Sequence, residues 1–196
     1  MKKQLVYIHG GDPYDTYGEF IADLKRSKLE ADDFKQSTEK RWKDALQAEL
    51  GPEYEIFRPE MPNWMNARYI EWEIFFGKML KYVRPGAVFI GHSLGAIFLA
   101  RYSADNPNHG AAGIILIAPP FRAEGGFAVP KDAQRLAKLG ARLHVYFSAD
   151  DPIVPFSNMK KYTKVVSDAV FTEFVDKGHF YAQKEFPEII RDIRAL

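Results

Sequence analysis

Five residues near the middle of the chain, Gly91-His92-Ser93-Leu94-Gly95, carry the spacing G-x-S-x-G. They follow the apolar run Ala87-Val88-Phe89-Ile90 and open an alanine-rich stretch that reads as a helix from Leu94. A serine on so sharp a strand-to-helix turn is held in strained backbone angles, with its hydroxyl above the carboxyl edge of a sheet. Strand and helix come so close there that flanking β-carbons would collide, which suits glycine at both ends. The N-terminus of the following helix favours negative charge developing on a reacting oxygen. The spacing alone recurs in many chains; its strand–turn–helix context makes Ser93 a candidate nucleophile.

A lone serine hydroxyl is a weak nucleophile and needs a base, which in turn needs an orienting acid. In this strand–turn–helix setting the order along the chain is serine, acid, histidine. His179, in Lys177-Gly178-His179-Phe180, is the candidate base, and Asp151, in Ser148-Ala149-Asp150-Asp151-Pro152, the candidate acid. Asp150 competes with Asp151 for that place. Each loop follows a predicted strand, and parallel strands gather their carboxyl ends on one edge. The loop Gly10-Gly11-Asp12 closes the first strand at the same edge. The backbone N–H groups of Gly11 and Leu94 are expected to be the two oxyanion donors. Among the other histidines, His9 ends that strand and is the one alternative base, although orienting its own loop is the simpler role. His92 lies inside the turn, His109 in a surface turn and His144 in a strand.

The elements that must position these residues alternate from end to end. Strands are predicted over 4–8, 53–58, 87–90, 113–118, 142–147 and 169–175. Helices are predicted over 38–50, 69–83, 94–104, 132–139, 156–166 and 185–193. About six strands with helices between them imply a mostly parallel sheet covered on both faces, a three-layer α/β/α sandwich. The charged segment 12–37 has helical spacing over 19–29 and reads as an exposed helix or loop over the site. No repeat, low-complexity tract or linker interrupts the pattern, so one domain over 1–196 is expected.

Composition narrows the function classes. The chain has 196 residues, 46% of them hydrophobic and 27% charged, with a formal net charge of +1. That balance gives no reason to expect nucleic acid or an anionic membrane as partner. With no cysteine, disulfides, thiol nucleophiles and thiolate metal sites are excluded. The opening apolar run reads as a strand rather than a signal segment, and a cytoplasmic location is expected.

These motifs together resemble the α/β-hydrolase superfamily, and within it the small serine hydrolases grouped with retinoblastoma-binding protein nine. The resemblance rests on His9-Gly10-Gly11, Pro59-Glu60-Met61-Pro62, Gly91-His92-Ser93-Leu94-Gly95-Ala96, Asp150-Asp151-Pro152 with Pro155, and Gly178-His179-Phe180. It implies a shortened hydrolase sheet and a triad of Ser93, Asp151 and His179. Asp151-Pro152-Ile153-Val154-Pro155 resembles the D-x-x-V-P run that carries the acid in many members, which favours Asp151 over Asp150. Segment 12–37 is longer than the equivalent loop of compact members.

Trp64, in the loop after the second strand, is a candidate pocket residue, as are Phe121 and Phe127 in the loop 119–130. That loop stands where larger hydrolases carry a lid domain, and its shortness points to a small or medium acyl group. The expected function is cleavage of a small carboxylic ester, thioester or amide through an acyl-serine intermediate, with no metal or organic cofactor. The alternative is an interaction module on the same fold with a slow or vestigial triad. A cofactor-free lyase or peroxidase-like activity is the third possibility.

Overall fold

Alternation within short apolar runs sends side chains to both faces of a sheet, and here both faces are covered. The computed structural model describes residues 1–35, 40–106 and 109–196. Its six strands are β1 (Lys3–Ile8), β2 (Tyr54–Phe57), β3 (Val88–His92), β4 (Gly113–Ile117), β5 (Leu143–Ser148) and β6 (Val170–Phe174). They form one sheet in the order β2-β1-β3-β4-β5-β6, and every neighbouring pair is parallel.

Seven α-helices complete the described chain: α1 (Tyr17–Arg26), α2 (Trp42–Leu50), α3 (Tyr69–Met79), α4 (Leu94–Asp105), α5 (Gln134–Ala137), α6 (Ser157–Val165) and α7 (Pro187–Ala195). Val6, Ile8, Phe89, Leu116 and Val145 face Trp72 and Phe76 of α3, Phe98 of α4 and Tyr162 of α6. Leu5, Tyr7, Ile90, Ile117 and Tyr146 face Trp42 and Leu46 of α2 and Ile189 and Ile193 of α7. Each large apolar side chain buried this way contributes about 1.5–3 kcal/mol. The result is the expected three-layer α/β/α sandwich.

Element ends differ from the sequence reading where local chemistry sets them. The helix predicted over 19–29 runs from Tyr17 to Arg26 because Thr16 caps it. The Thr16 hydroxyl accepts the Glu19 N–H at 3.2 Å, and the Glu19 carboxylate accepts the Thr16 N–H at 2.7 Å. This reciprocal pair is a capping box. The helix predicted over 69–83 tightens after Met79 into a 3-10 turn, Leu80–Tyr82. Residues 36–37 of the charged segment and 38–39 of the predicted second helix lie outside the described residues, as do 107–108 beside His109.

The strand order reverses around β1, which has β2 on one side and β3 on the other. In open parallel sheets a crevice forms at such a point, beyond the carboxyl ends of the two strands. The loop 9–12 leaves β1 there, and Ser93 follows β3 there.

Candidate active site

Ser93 has φ +55° and ψ −118°, a conformation costly for a residue with a side chain, by about 1–3 kcal/mol. Packing imposes it. A β-carbon on Gly91 would lie against the Gly95 carbonyl oxygen, and one on Gly95 against the carbonyl oxygens of Ile8 and His9. Glycine at both positions lets α4 run back across the ends of β3 and β1. The Ser93 N–H donates to the Ile117 carbonyl at 2.8 Å, fastening the turn to β4.

The structure brings His179 to Asp151. His179 Nδ1 is 2.8 Å from Asp151 Oδ2, and both side chains are almost wholly buried. The other oxygen of the carboxylate, Oδ1, accepts the N–H groups of Ile153 at 2.8 Å and Val154 at 2.9 Å. Burial raises the Asp151 pKa, but the His179 bond and these two amides outweigh it and hold the carboxyl below its usual range. The ionised carboxylate makes Nδ1 the protonated nitrogen and leaves Nε2 as the basic one. Nε2 is buried and has no hydrogen-bond partner, so the bond from the Ser93 hydroxyl to it is not closed in this structure.

Asp150 is placed differently. Its Oδ1 accepts the Ser148 hydroxyl at 2.5 Å and the Gly178 N–H at 2.9 Å. It therefore ties the loop after β5 to the residue preceding His179. The loop bearing His179 is pinned at two more points. His92 Nε2 lies 2.8 Å from the His179 carbonyl oxygen, and Trp42 Nε1 donates to the Phe180 carbonyl at 2.9 Å. Since the His179 carbonyl only accepts, His92 carries its proton on Nε2. Burial, then the neighbouring His179, lowers the His92 pKa to about 3, so its ring stays neutral.

His9 is a positioning group. Its Nε2 accepts the Met61 N–H at 2.9 Å, so its proton sits on Nδ1, against the Gly10 carbonyl oxygen. The loops after β1 and β2 are thereby joined. Further along, the Asp12 N–H donates to the Trp64 carbonyl at 2.8 Å and the Ala67 N–H to the Asp12 carbonyl at 3.0 Å. A β-carbon on Gly11 would come within 2.6 Å of the Trp64 oxygen, so this join requires glycine.

A cavity of about 420 Å³ opens on Ser93, lined by His9, Gly10, Gly11, Asp12, Trp64 and His92 with Tyr7, Lys43, Glu60, Ile153 and Tyr181. Gly11 lies in its wall. Leu94 is the first residue of α4, so its N–H has no carbonyl one turn earlier to meet. A second groove, of about 620 Å³, adjoins the first across Trp64 and Glu60 and runs beneath Tyr17 and Phe20 of α1. No residue of α1 is fully buried.

Of the three pocket residues expected from sequence, Trp64 lines the cavity, and two need correction. Phe127 is 0% exposed and packs edge-on against Tyr69 and Trp72. Phe121 packs on Tyr162, with its N–H on Asn158 Oδ1 at 3.1 Å. Neither lines the cavity. The loop folds back on itself through the Ala123–Phe127 and Val129–Phe121 backbone bonds, which swings Phe127 inward over α3. Sequence reasoning also passed over Tyr7, Lys43 and Tyr181. Tyr7 and Tyr181 flank the candidate motifs at two and one residues, the only signal available for them.

A family model described as serine hydrolase matches residues 27–193 of the chain. No curated protein matches it by sequence. Among solved structures, the ydeN gene product of B. subtilis is similar with a TM-score of 0.67 at 20% identity, over 99% of this chain and 98% of that one. A structure from work on carboxylesterases of Nitrososphaera gargenis aligns with a TM-score of 0.63 at 14% identity, over 99% and 89%. Est1E from Butyrivibrio proteoclasticus gives 0.59 at 14% identity, over 99% and 86%. At these identities the likeness is one of fold.

Proposed function

The chain belongs to the serine hydrolase family, and on that premise we propose that it cleaves small to medium carboxylic esters through an acyl-serine intermediate. In this reading the Ser93 hydroxyl attacks the ester carbonyl and His179 Nε2 takes its proton. Asp151 holds the imidazole and stabilises the imidazolium. The oxyanion meets the N–H groups of Gly11 and Leu94. His179 then protonates the departing alcohol, and water, activated by the same imidazole, releases the acid. Side chains, backbone N–H groups and water act in this sequence of steps.

The observation that carries the proposal is the buried Asp151–His179 pair at 2.8 Å with a free Nε2, on a loop whose His179 carbonyl is held by His92, the residue before the strained Ser93. A strained turn persists only where its surroundings over-determine it. Thioesters and amides can be cleaved by the same groups, and a panel of all three linkages ranks them. The open Ser93–His179 contact is the feature that suits an interaction module with a slow triad. A fluorophosphonate probe decides between them. Labelling of the native protein, lost in Ser93→Ala and His179→Ala while both keep their circular dichroism, supports the hydrolase. No labelling of the folded native protein favours the module.

A further inference from the structure

Two polar groups in the wall of the Ser93 cavity have no use in the chemistry above. Lys43 is the second residue of α2 and lines the cavity half-buried. It makes no hydrogen bond or ion pair with any described residue. A cation in the first turn opposes the helix dipole, and burial disfavours its charge as well. Helix stability therefore gives no reason for a lysine here. Its charge is felt at both His9 and His92, which line the same cavity.

Tyr7, which lines the same cavity, is 2% exposed. Its ring is fixed edge-on to Trp42 at 5.8 Å, with the Arg58 guanidinium 5.7 Å over it. Its hydroxyl is buried and has no hydrogen-bond partner. A buried donor left unmade costs about 1–3 kcal/mol, so an acceptor is missing. Trp42 and Lys43 are consecutive, so the helix turn that clamps the Tyr7 ring also presents the lysine.

Building on the hydrolase reading, we propose that Lys43 and Tyr7 form an anion subsite within the Ser93 cavity, taking a carboxylate carried by the substrate a few bonds from the scissile carbonyl. The ammonium supplies charge and the hydroxyl a donor of fixed direction, the pairing that a carboxylate's two oxygens accept. Asp12 and Glu60 also line the cavity. Asp12 is exposed to solvent, and Glu60 stands on the wall shared with the α1 groove. The subsite is thus local to Lys43 and Tyr7. The substrate class it selects is the half-ester of a short dicarboxylic acid.

The test compares monomethyl glutarate with methyl pentanoate, equal in chain length and different in one carboxylate, by titrating released acid at constant pH. The native protein is expected to favour the glutarate in kcat/KM by about ten-fold, the equivalent of one charge-assisted contact. Lys43→Met should bring the ratio close to one, Lys43→Arg should retain most of it, and Tyr7→Phe should lower it several-fold. A native ratio near one, or an unchanged ratio in Lys43→Met, overturns the subsite. Fluorophosphonate labelling reports separately on Ser93. If neither ester is cleaved, calorimetric titration with the same two intact esters, one anionic and one neutral, reads the subsite directly. Monomethyl glutarate binding lost in Lys43→Met supports it, and no preference for monomethyl glutarate over methyl pentanoate overturns it.

Discussion

The carboxylate of Asp151 divides its two oxygens between different tasks: Oδ2 lies 2.8 Å from His179 Nδ1, while Oδ1 is occupied by the N–H groups of Ile153 and Val154. The amides fix the carboxylate plane and keep it ionised, so that one oxygen is always presented to the imidazole. Asp150, one residue earlier, bonds instead to the backbone of the same loop, accepting the Gly178 N–H, and to the Ser148 hydroxyl.

This division makes the two aspartates separable. Asp151→Asn should keep the fold but put the proton on the wrong imidazole nitrogen, lowering kcat by roughly 10³–10⁴. Asp150→Asn should loosen the loop before His179 and lower kcat by about ten- to a hundred-fold through misplacement. Steady-state ester hydrolysis by both variants checks the order. Equal losses would mean that the acid role is shared.

The turn around Ser93 tolerates no β-carbon. Gly95→Ala would drive a methyl group into the Ile8 and His9 carbonyls, and Gly91→Ala into that of Gly95. Backbone atoms cannot step aside as a side-chain tip can. Both variants are expected to lose several degrees in Tm and all labelling of Ser93, or to fail to fold. Scanning calorimetry and probe labelling read the two effects, and a fully stable, labelled Gly95→Ala would show that the helix can retreat.

Phe127 and Trp64 should behave oppositely. Phe127→Ala removes a fully buried ring from the α3–α4 core, which costs about 3–5 kcal/mol, with substrate preference unchanged in whatever protein stays folded. Trp64→Ala, at a half-exposed position between the cavity and the α1 groove, should leave Tm within about two degrees. It should raise KM for aromatic or longer esters several-fold. Chemical denaturation paired with a series of ester chain lengths distinguishes them.

Acid should weaken the fold through His92. Burial keeps its folded pKa near 3, against about 6.5 in an unfolded chain. Between those values the unfolded state binds the extra proton, so stability falls as pH falls from about 6.5, by up to about 1.4 kcal/mol per pH unit. Above that window the term is constant. Asp151 acts lower: its depressed folded pKa gives stability that is present above about 4 and disappears as pH falls through the folded value. Urea melts of native protein and His92→Asn between pH 7 and 4.5 should show a shallower slope in the variant. Equal slopes would reject the assignment.

Order along the chain was enough to find the sheet, because parallel strands separated by helices leave few arrangements. The apolar runs of β1, β3, β4 and β5 are legible because each is buried on both faces. Glycine spacing was enough to locate the strained turn, since only glycine fits where α4 crosses β1 and β3. Chain order likewise singled out Ser93, His179 and an aspartate in 150–151 as candidates. Which oxygen of which aspartate meets the imidazole, which aromatic ring faces the cavity and which turns into the core, and which lysine stands in the cavity wall were decided only by tertiary packing. Each depends on distances between residues far apart in sequence, such as Asp151 and His179, Phe127 and Trp72, or Lys43 and Tyr7. No local preference encodes those distances, because a loop backbone can direct the same side chain either way at nearly equal local energy.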